Sequence, residues 1–301
     1  MRNRNTRRIA VSSPAFTLIE ILVVVAIIAL LISILLPSLA AARRTSRTVA
    51  CRANVHQMGL ALTMYTNQYG YYPGHHLPPG SETAKEFIVW PTRLMRAMKA
   101  SGGTSGQHKV FWCPDSKYKT HWDGRQRIYA SATASGYRET DCVNFDYGYN
   151  DWGVSETHSV PGAPNLGLGG HIVVKPPEKT WEGKDGEVRV DKVKRPAEMI
   201  CIADNDADDY LTGTPGQWDT AIDPVDDPPN REWPGARHDK GCNVLWADGH
   251  ADFQLQAKLV EKTHLARRRW NNDYRAHCDL WGDGAGHKKD SSCARENKYS
   301  R

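Results

Sequence analysis

The sequence lacks the short motifs that mark the common nucleotide-dependent and hydrolytic enzymes. It contains no Walker loop, no glycine-rich dinucleotide fingerprint, no HExxH and no GxSxG. It also lacks a CxxC pair, which argues against a zinc ribbon. From these absences we expect a protein that is not an enzyme.

Net charge is also small once the N-terminal arginines are set aside. The formal charge of +5 falls to +1 without the four arginines among the first eight residues. A chain this close to neutral has no basic field with which to hold nucleic acid. We therefore expect no nucleic-acid partner.

The seven cysteines are an odd number, so at least one is free or pairs between chains. In an exported domain, proximity in the sequence suggests two disulfides, Cys113–Cys142 and Cys278–Cys293. The alternative of reduced, buried side chains fits Cys201 and Cys242 at least as well. The cysteines therefore leave the redox compartment open.

The sequence has one long apolar run, from Phe16 to Leu36. Its 21 residues, FTLIEILVVVAIIALLISILL, contain a single ionisable group, Glu20. A helix of about 20 apolar residues spans the hydrocarbon core of a bilayer. The run therefore predicts a membrane helix, and a carboxylate inside it needs a partner.

The residues at the start of this run resemble the processing site of type IV pilins and type II secretion pseudopilins. The stretch AFTLIE, from Ala15 to Glu20, follows an arginine-rich leader. The resemblance implies that a prepilin peptidase cuts before Phe16 and methylates the new amine, leaving Glu20 as fifth residue of the mature chain. Pro37 matches a proline usual in the family, whereas Ala15 stands where the family usually has glycine.

A second motif lies near the other end of the chain, where nine residues separate His238 from Asp248-Gly249. This spacing resembles the H-x9-DG element of prepilin-like bacterial proteins common in planctomycetes. Asp-Gly between apolar residues predicts a hairpin with a two-residue type I′ turn, and a positive φ at Gly249. We favour a structural role, with His238 as an orienting hydrogen-bond partner, over a catalytic pair.

These features together predict an α+β protein, in which a long N-terminal helix packs on a C-terminal antiparallel β-sheet head with long loops. Pro37 should kink that helix. The expected organisation is a leader over 1–15, a transmembrane and stalk helix over 16–70, a head over 71–281 with the motif hairpin at 238–253, and a polar tail over 282–301.

Local patterns within the head predict further elements. We expect helices over 90–100 and 254–264, and strands over 110–113, 171–175, 187–190 and 199–203.

Two acidic clusters leave Ca²⁺ or another divalent metal open as a cofactor of the head. A run of four aspartates that begins with Asp204 and Asp206 starts with the spacing of a calcium loop, but the loop's sixth and twelfth positions are wrong. Asp273 and His277, four residues apart, would share one face of a helix. A solvated acidic loop is the plainer interpretation of the aspartate run.

The favoured function is that of a pseudopilin-like subunit in a type II secretion or type IV pilus-like filament. Its expected partners are the prepilin peptidase, other pilin-like subunits, an inner-membrane assembly platform and the lipid bilayer. Arginines flank the apolar run on both sides, so the resemblance decides the orientation. It implies a single pass through the bacterial inner membrane, with the N-terminus in the cytoplasm and the head in the periplasm or in an extracytoplasmic filament.

Two alternatives use the same anchor. One is a head that binds a polysaccharide or surface ligand. The other is a tethered metalloenzyme, which would need His238, Asp248 and Asp204 to converge on a metal.

Overall fold

The computed structural model confirms the α+β class, with a long N-terminal helix and a four-stranded antiparallel sheet. It describes residues 17–74, 90–100, 107–116, 145–151, 153–154, 166–169, 187–205, 221–224 and 233–277. The chain divides into two units at the boundary between Ser46 and Arg47. The long helix contributes residues to both units.

Helix α1 is Leu18–Tyr69, 52 residues long, with Pro37 in its interior. Its start is a capping box, in which the Thr17 backbone N–H donates to Glu20 Oε2 at 2.8 Å and the Glu20 N–H donates to Thr17 Oγ1 at 3.4 Å. The helix ends before Gly70, whose φ of +74° favours glycine. Both ends lie within two residues of the predicted ones.

The first unit contains the apolar half of α1. Its large hydrophobic side chains are exposed from Leu18, at 85%, through Leu36, at 59%. The most apolar stretch of the helix has no buried residue, and its length and composition are sufficient to cross a membrane. An apolar surface of this extent indicates a lipid or protein environment around the helix.

The second unit contains the other half of α1, which has one buried face. The buried side chains recur every three or four residues, as on one side of a helix. They are Cys51, Val55, Met58, Ala61, Leu62 and Tyr65. This face belongs to the main hydrophobic core of the unit, together with residues of the sheet.

The sheet has four antiparallel strands in the order β1-β2-β3-β4. The strands are β1 Tyr147–Tyr149, β2 Ile200–Asp204, β3 Gly241–Trp246 and β4 Ala251–Leu255. All six β3 residues are buried. Leu245 packs in the same core as α1, whereas Val244 and Trp246 pack in a second cluster. The strand predicted over 199–203 is confirmed as β2.

The described part of the chain also has three shorter α-helices. They are α2 Trp90–Ala100, α3 Gln256–Leu259 and α4 His264–Arg267. Helix α2 has the predicted bounds. Its first residue, Trp90, is fully buried and stacks on Tyr149 at 5.7 Å between ring centroids.

The helix predicted over 254–264 is wrong. Strand β4 continues to Leu255, which pairs with Gly241. The chain then forms only the short α3, and Thr263 caps a separate helix by accepting the Ala266 N–H at 3.3 Å. Strand pairing at one end and a new cap at the other therefore divide the predicted helix.

Two of the predicted strands are also wrong. Residues 110–113 overlap a 3₁₀ helix, Gln107–Phe111, which continues into a turn in which Trp112 N–H donates to the Lys109 carbonyl at 3.1 Å. Residues 187–190 make isolated bridges and lead into a 3₁₀ helix, Val190–Lys192. The strand predicted over 171–175 and the tail over 282–301 lie outside the described residues.

Candidate functional site

Four polar side chains from distant parts of the sequence meet inside the second unit. They are Cys51, Cys113, Asp204 and His238, and one donor atom from each lies within 4.8 Å of all the others. All four side chains are buried, and the most exposed of them, Cys113, is 3% accessible. We call this group the thiol–imidazole cluster.

Each member of the cluster is held by a different element. Cys51 lies on the buried face of α1, and Asp204 is the last residue of β2. Cys113 follows the 3₁₀ helix that ends at Phe111. His238 stands just before β3.

His238 is positioned by a tight turn. Its N–H donates to the Gly241 carbonyl at 3.1 Å, and the Gly241 N–H donates back at 3.0 Å. The two residues between them, Asp239 and Lys240, have φ of 49° and 65°. Two successive positive φ values are the signature of a type I′ turn, and neither residue is glycine. Local backbone strain is therefore located beside the cluster.

Distances within the cluster are those of direct contact. Cys51 Sγ donates to Asp204 Oδ1 at 3.0 Å. His238 Nε2 lies 3.5 Å from Cys113 Sγ and 3.7 Å from Asp204 Oδ2. The thiols, the imidazole and the carboxylate therefore converge on one small volume.

The cluster changes the acidity of its members. The hydrogen bond from Cys51 outweighs the effect of burial and, with His238, lowers the pKa of Cys113 to about 6. Burial raises the pKa of Cys51 well above its usual value. Burial alone would lower the pKa of His238, but Asp204 and Cys113 outweigh it and raise the pKa to about 10. The environment thus favours one thiolate beside an imidazolium.

The two ring nitrogens of His238 have different neighbours. Cys113 Sγ and Asp204 Oδ2 both lie near Nε2, whereas Nδ1 lies 3.2 Å from Thr48 Oγ1 and 3.9 Å from Asp115 Oδ2. In a catalytic triad the carboxylate hydrogen-bonds one imidazole nitrogen and the nucleophile meets the other, and Asp115 is too far from Nδ1 for that bond. A sulfur and a carboxylate oxygen beside one ring nitrogen match ligands that share a metal ion.

Further hydrogen bonds orient the cluster from outside. The Asn243 N–H donates to Asp204 Oδ2 at 2.8 Å, and the Cys113 N–H donates to Asp146 Oδ2 at 2.9 Å. Asp146 also pairs with the buried Arg237, with Nη1 and Oδ1 3.4 Å apart. The cluster is therefore held by backbone and side-chain contacts on several sides.

The Asp248-Gly249 end of the H-x9-DG motif forms the β3–β4 hairpin loop. The loop has three residues, Ala247 to Gly249, because Leu245 pairs with Ala251 and the Trp246 N–H donates to the His250 carbonyl at 2.9 Å. The predicted two-residue type I′ turn is wrong. The predicted positive φ at Gly249 is confirmed, at 95°.

Both ends of the motif contact α1. At one end His238 contacts Thr48, and at the other Gly249 approaches Gly59 and Thr63. A Cβ on Gly249 would lie 2.7 Å from Thr63 Oγ1, and a Cβ on Gly59 would lie 2.4 Å from the Gly249 carbonyl oxygen. The motif therefore docks the sheet against the second half of α1.

Only two of the three residues that the metalloenzyme alternative requires lie close together. His238 and Asp204 come together, but Asp248 does not join them. The Asp248 carboxylate instead contacts His250 Nδ1 at 2.6 Å.

The other predicted metal ligands do not form a site with the cluster. Asp273 and His277 contact each other at 2.8 Å, but the predicted shared helix is absent because residues 271–277 form no regular element. Among the described residues, they belong to no group of three or more potential ligands. Asp206 lies outside the described residues.

The predicted processing residues are placed only in part. Ala15 and Phe16 lie outside the described residues. Glu20 is exposed, and it accepts hydrogen bonds from the backbone and hydroxyl of Thr17. The capping box therefore supplies Glu20 with a partner in its own chain, which the sequence analysis did not consider.

Sequence reasoning missed Cys51 and Cys113 as members of a site. No short spacing links them to each other or to His238. The available signal was the helical periodicity that places Cys51 on the apolar face of α1.

Comparisons with known proteins give one partial match. No curated protein and no solved structure matches the chain. Residues 40–98, which include the second half of α1 and most of α2, match the model of a family described as "Protein of unknown function (DUF1559)". Over that stretch the chain is similar to planctomycete prepilin-like proteins.

Proposed function

We propose that this protein is a pseudopilin-like subunit, anchored in the bacterial inner membrane and assembled into a type II secretion or type IV pilus-like filament. The observation that carries the proposal is the division of α1 into two surfaces. Its first half exposes apolar side chains throughout, and its second half packs into a folded core. A helix with this division can leave the bilayer for a bundle of identical helices while its head stays folded.

The partners follow from this proposal. A prepilin peptidase would remove residues 1–15, and an inner-membrane platform would add the subunit to other pilin-like subunits. The head would lie in the periplasm or on the filament surface. The family match over residues 40–98 supports this assignment, because that family comprises prepilin-like proteins.

In this proposal the head is not an enzyme. The burial of all four residues of the thiol–imidazole cluster supports a structural role, because a catalytic metal keeps an open position for its substrate. The same burial counts against the tethered metalloenzyme. Binding of a polysaccharide by the head is compatible with the anchor and does not require assembly.

Glu20 distinguishes a filament subunit from a simple anchor. Cleavage before Phe16 creates an amine, and the amine of one subunit can meet Glu20 of a neighbour staggered along a filament. Such a pair would neutralise both charges and fix the axial register. Glu20→Val should therefore insert and be cleaved but fail to assemble.

Disulfide crosslinking between copies measures assembly directly. The apolar run contains no native cysteine, so a single cysteine placed there reports contacts between neighbouring helices. The native background should give a ladder of crosslinked oligomers, and Glu20→Val should give monomer only. A ladder in Glu20→Val equal to the native one would favour an anchored, unassembled head.

Two controls separate the charge of Glu20 from its role in the capping box. Glu20→Gln keeps a side chain that can accept the Thr17 N–H but removes the charge, and it should fail to assemble. Thr17→Ala removes the capping hydroxyl but keeps the charge, and it should assemble. The opposite pattern would make Glu20 a helix cap rather than an assembly residue.

A further inference from the structure

We propose that Cys51, Cys113, Asp204 and His238 bind one Zn²⁺ ion in a closed, structural site that fastens the second half of α1 to the sheet. This site goes beyond the proposed function, because it concerns how the head is built. It differs from the calcium loop and the Asp273–His277 pair considered from the sequence.

The donor set selects the metal. Two cysteine sulfurs and an imidazole nitrogen are soft or intermediate donors, which suit zinc, whereas calcium takes oxygen ligands. The carboxylate of Asp204 completes four protein ligands. Structural zinc sites usually have four protein ligands in a tetrahedron, and a catalytic site would keep one position for water.

The spacing of the donors fits a tetrahedron of this size. With zinc bonds of about 2.0 to 2.3 Å, neighbouring donor atoms are about 3.3 to 3.8 Å apart. His238 Nε2 lies 3.5 Å from Cys113 Sγ and 3.7 Å from Asp204 Oδ2. The shorter 3.0 Å contact from Cys51 Sγ to Asp204 is a thiol hydrogen bond, which deprotonation on metal binding would remove.

Residues around the four ligands make the contacts expected of groups that orient metal ligands. A zinc-bound histidine usually donates its second ring N–H to an oxygen, which fixes the tautomer. His238 Nδ1 lies 3.2 Å from Thr48 Oγ1 and 3.9 Å from Asp115 Oδ2. Asp204 Oδ2 already accepts the Asn243 N–H, which holds the carboxylate in place.

The placement of the ligands explains what the ion would do. Cys51 lies on α1, whereas Asp204 and His238 lie on or beside the central strands. One ion would therefore join the helix to the sheet. Its bonds to the ligands have fixed directions, which hydrophobic contacts do not have. A disulfide between Cys51 and Cys113 is the competing state, because it would consume two ligands.

Metal analysis of the native full-length protein is the first test. The protein is extracted from membranes in detergent without chelator or added zinc, and its metals and free thiols are counted. We expect about one zinc per chain, and X-ray absorption should show two sulfur neighbours at about 2.3 Å and two nitrogen or oxygen neighbours at about 2.0 to 2.2 Å. A Cys51–Cys113 disulfide, or zinc far below one per chain, would overturn the proposal.

Matched cysteine variants provide the second test. Cys113→Ser removes a ligand, and Cys201→Ser changes a buried free thiol in β2 that lies outside the cluster. Cys113→Ser should lose the zinc and Cys201→Ser should retain it. Equal zinc in the two variants would contradict the site.

A third variant probes the site without removing a ligand. Thr48→Val removes the hydroxyl beside His238 Nδ1 and should weaken zinc affinity about 10- to 100-fold, as measured by competition with a chromogenic chelator. Unchanged affinity would show that Thr48 does not orient the ligand. Because the native metal count does not depend on any variant folding, the proposal stays testable if a substitution unfolds the head.

Discussion

Arg93 and Glu187 form an ion pair that lies almost entirely out of water. Their side chains are 2% and 0% exposed, and Arg93 Nη1 also donates to Tyr65 OH at 3.2 Å. Among the residues that the structure describes, Arg93 Nε and Nη2 have no hydrogen-bond partner. A guanidinium buried in this way depends strongly on the Glu187 carboxylate.

Glu187→Ala should therefore be among the most destabilising substitutions in the head. Removing one partner of a buried pair leaves the other charge uncompensated, which costs about 3 to 5 kcal/mol. Denaturant unfolding of the full chain in detergent measures the loss. Asp191→Ala is the matched control, because its ion pair with Arg189 is exposed, and it should leave the unfolding midpoint unchanged. Similar shifts of the unfolding midpoint in the two variants would contradict the claim that burial makes the Arg93–Glu187 pair important for stability.

Individual residues of the cluster were predictable to different degrees. His238 was singled out because it belongs to the H-x9-DG motif. Asp204 was singled out because it begins an acidic run with part of a calcium-loop spacing, which is unrelated to its place in the cluster. Cys51 and Cys113 carry no local pattern, since their proximity depends on how α1 packs against the sheet. Tertiary packing, not sequence spacing, creates this cluster.

The contact between α1 and the β3–β4 loop is a close approach of two backbones. Gly59 on the helix faces Gly249 in the loop, where a Cβ on Gly59 would be 2.4 Å from the Gly249 carbonyl oxygen and 2.8 Å from Leu245 Cδ1. Alanine is intrinsically better than glycine in a helix by about 1 kcal/mol. Packing therefore requires glycine at position 59, although helix propensity favours alanine there.

Gly59→Ala should destabilise the head despite its gain in helix propensity. The new methyl group would push the hairpin loop from the helix and disturb the core around Leu245. Thermal unfolding measured by circular dichroism shows whether the substitution raises or lowers the melting temperature. A melting temperature above that of the native protein would contradict the close contact.

Gly249→Val should destabilise the head by more than about 1 kcal/mol, because a branched side chain is strained at φ 95° and its Cβ would meet Thr63 Oγ1 at 2.7 Å. Gly70→Ala is the control for strain alone, since Gly70 has φ 74° and no atom of the described residues lies within 4 Å of the new Cβ. The loss in Gly249→Val should exceed that in Gly70→Ala, as measured by denaturant unfolding. An unchanged free energy of unfolding in Gly249→Val would contradict the positive φ at Gly249 and its close contact with Thr63.

Elements with strong periodicity or clear end signals were predictable from the sequence. Helix α1 ends at Tyr69, one residue before the predicted end, and α2 has the predicted bounds. The stretch over 110–113 has strand-like composition, but it forms a 3₁₀ turn whose Phe111 packs against Trp90. The I′ geometry expected at Asp248-Gly249 occurs instead at Asp239-Lys240, where tertiary contacts outweigh the preferences of the residues.

At the scale of the whole molecule, one helix provides both an apolar surface and part of a folded core. The first unit has an exposed apolar surface, and the second contains the sheet, the cluster and both hydrophobic cores. A helix long and apolar enough to cross a membrane was predictable, because length and apolarity alone define it. Packing of the same helix on the sheet head was predicted too, but the position of the division between Ser46 and Arg47 was not, since it depends on which helical residues the head buries.

The central claim is that this chain is a processed, pilin-like subunit, and its most direct test is the mass of the mature N-terminal peptide. The protein is expressed in a host with a prepilin peptidase, purified from membranes and digested for mass spectrometry. The account predicts a chain that begins at Phe16 with an N-methylated amine, and Ala15→Gly should be cleaved at least as well because both residues are small. An intact Met1, or cleavage beyond Leu36, would contradict the account.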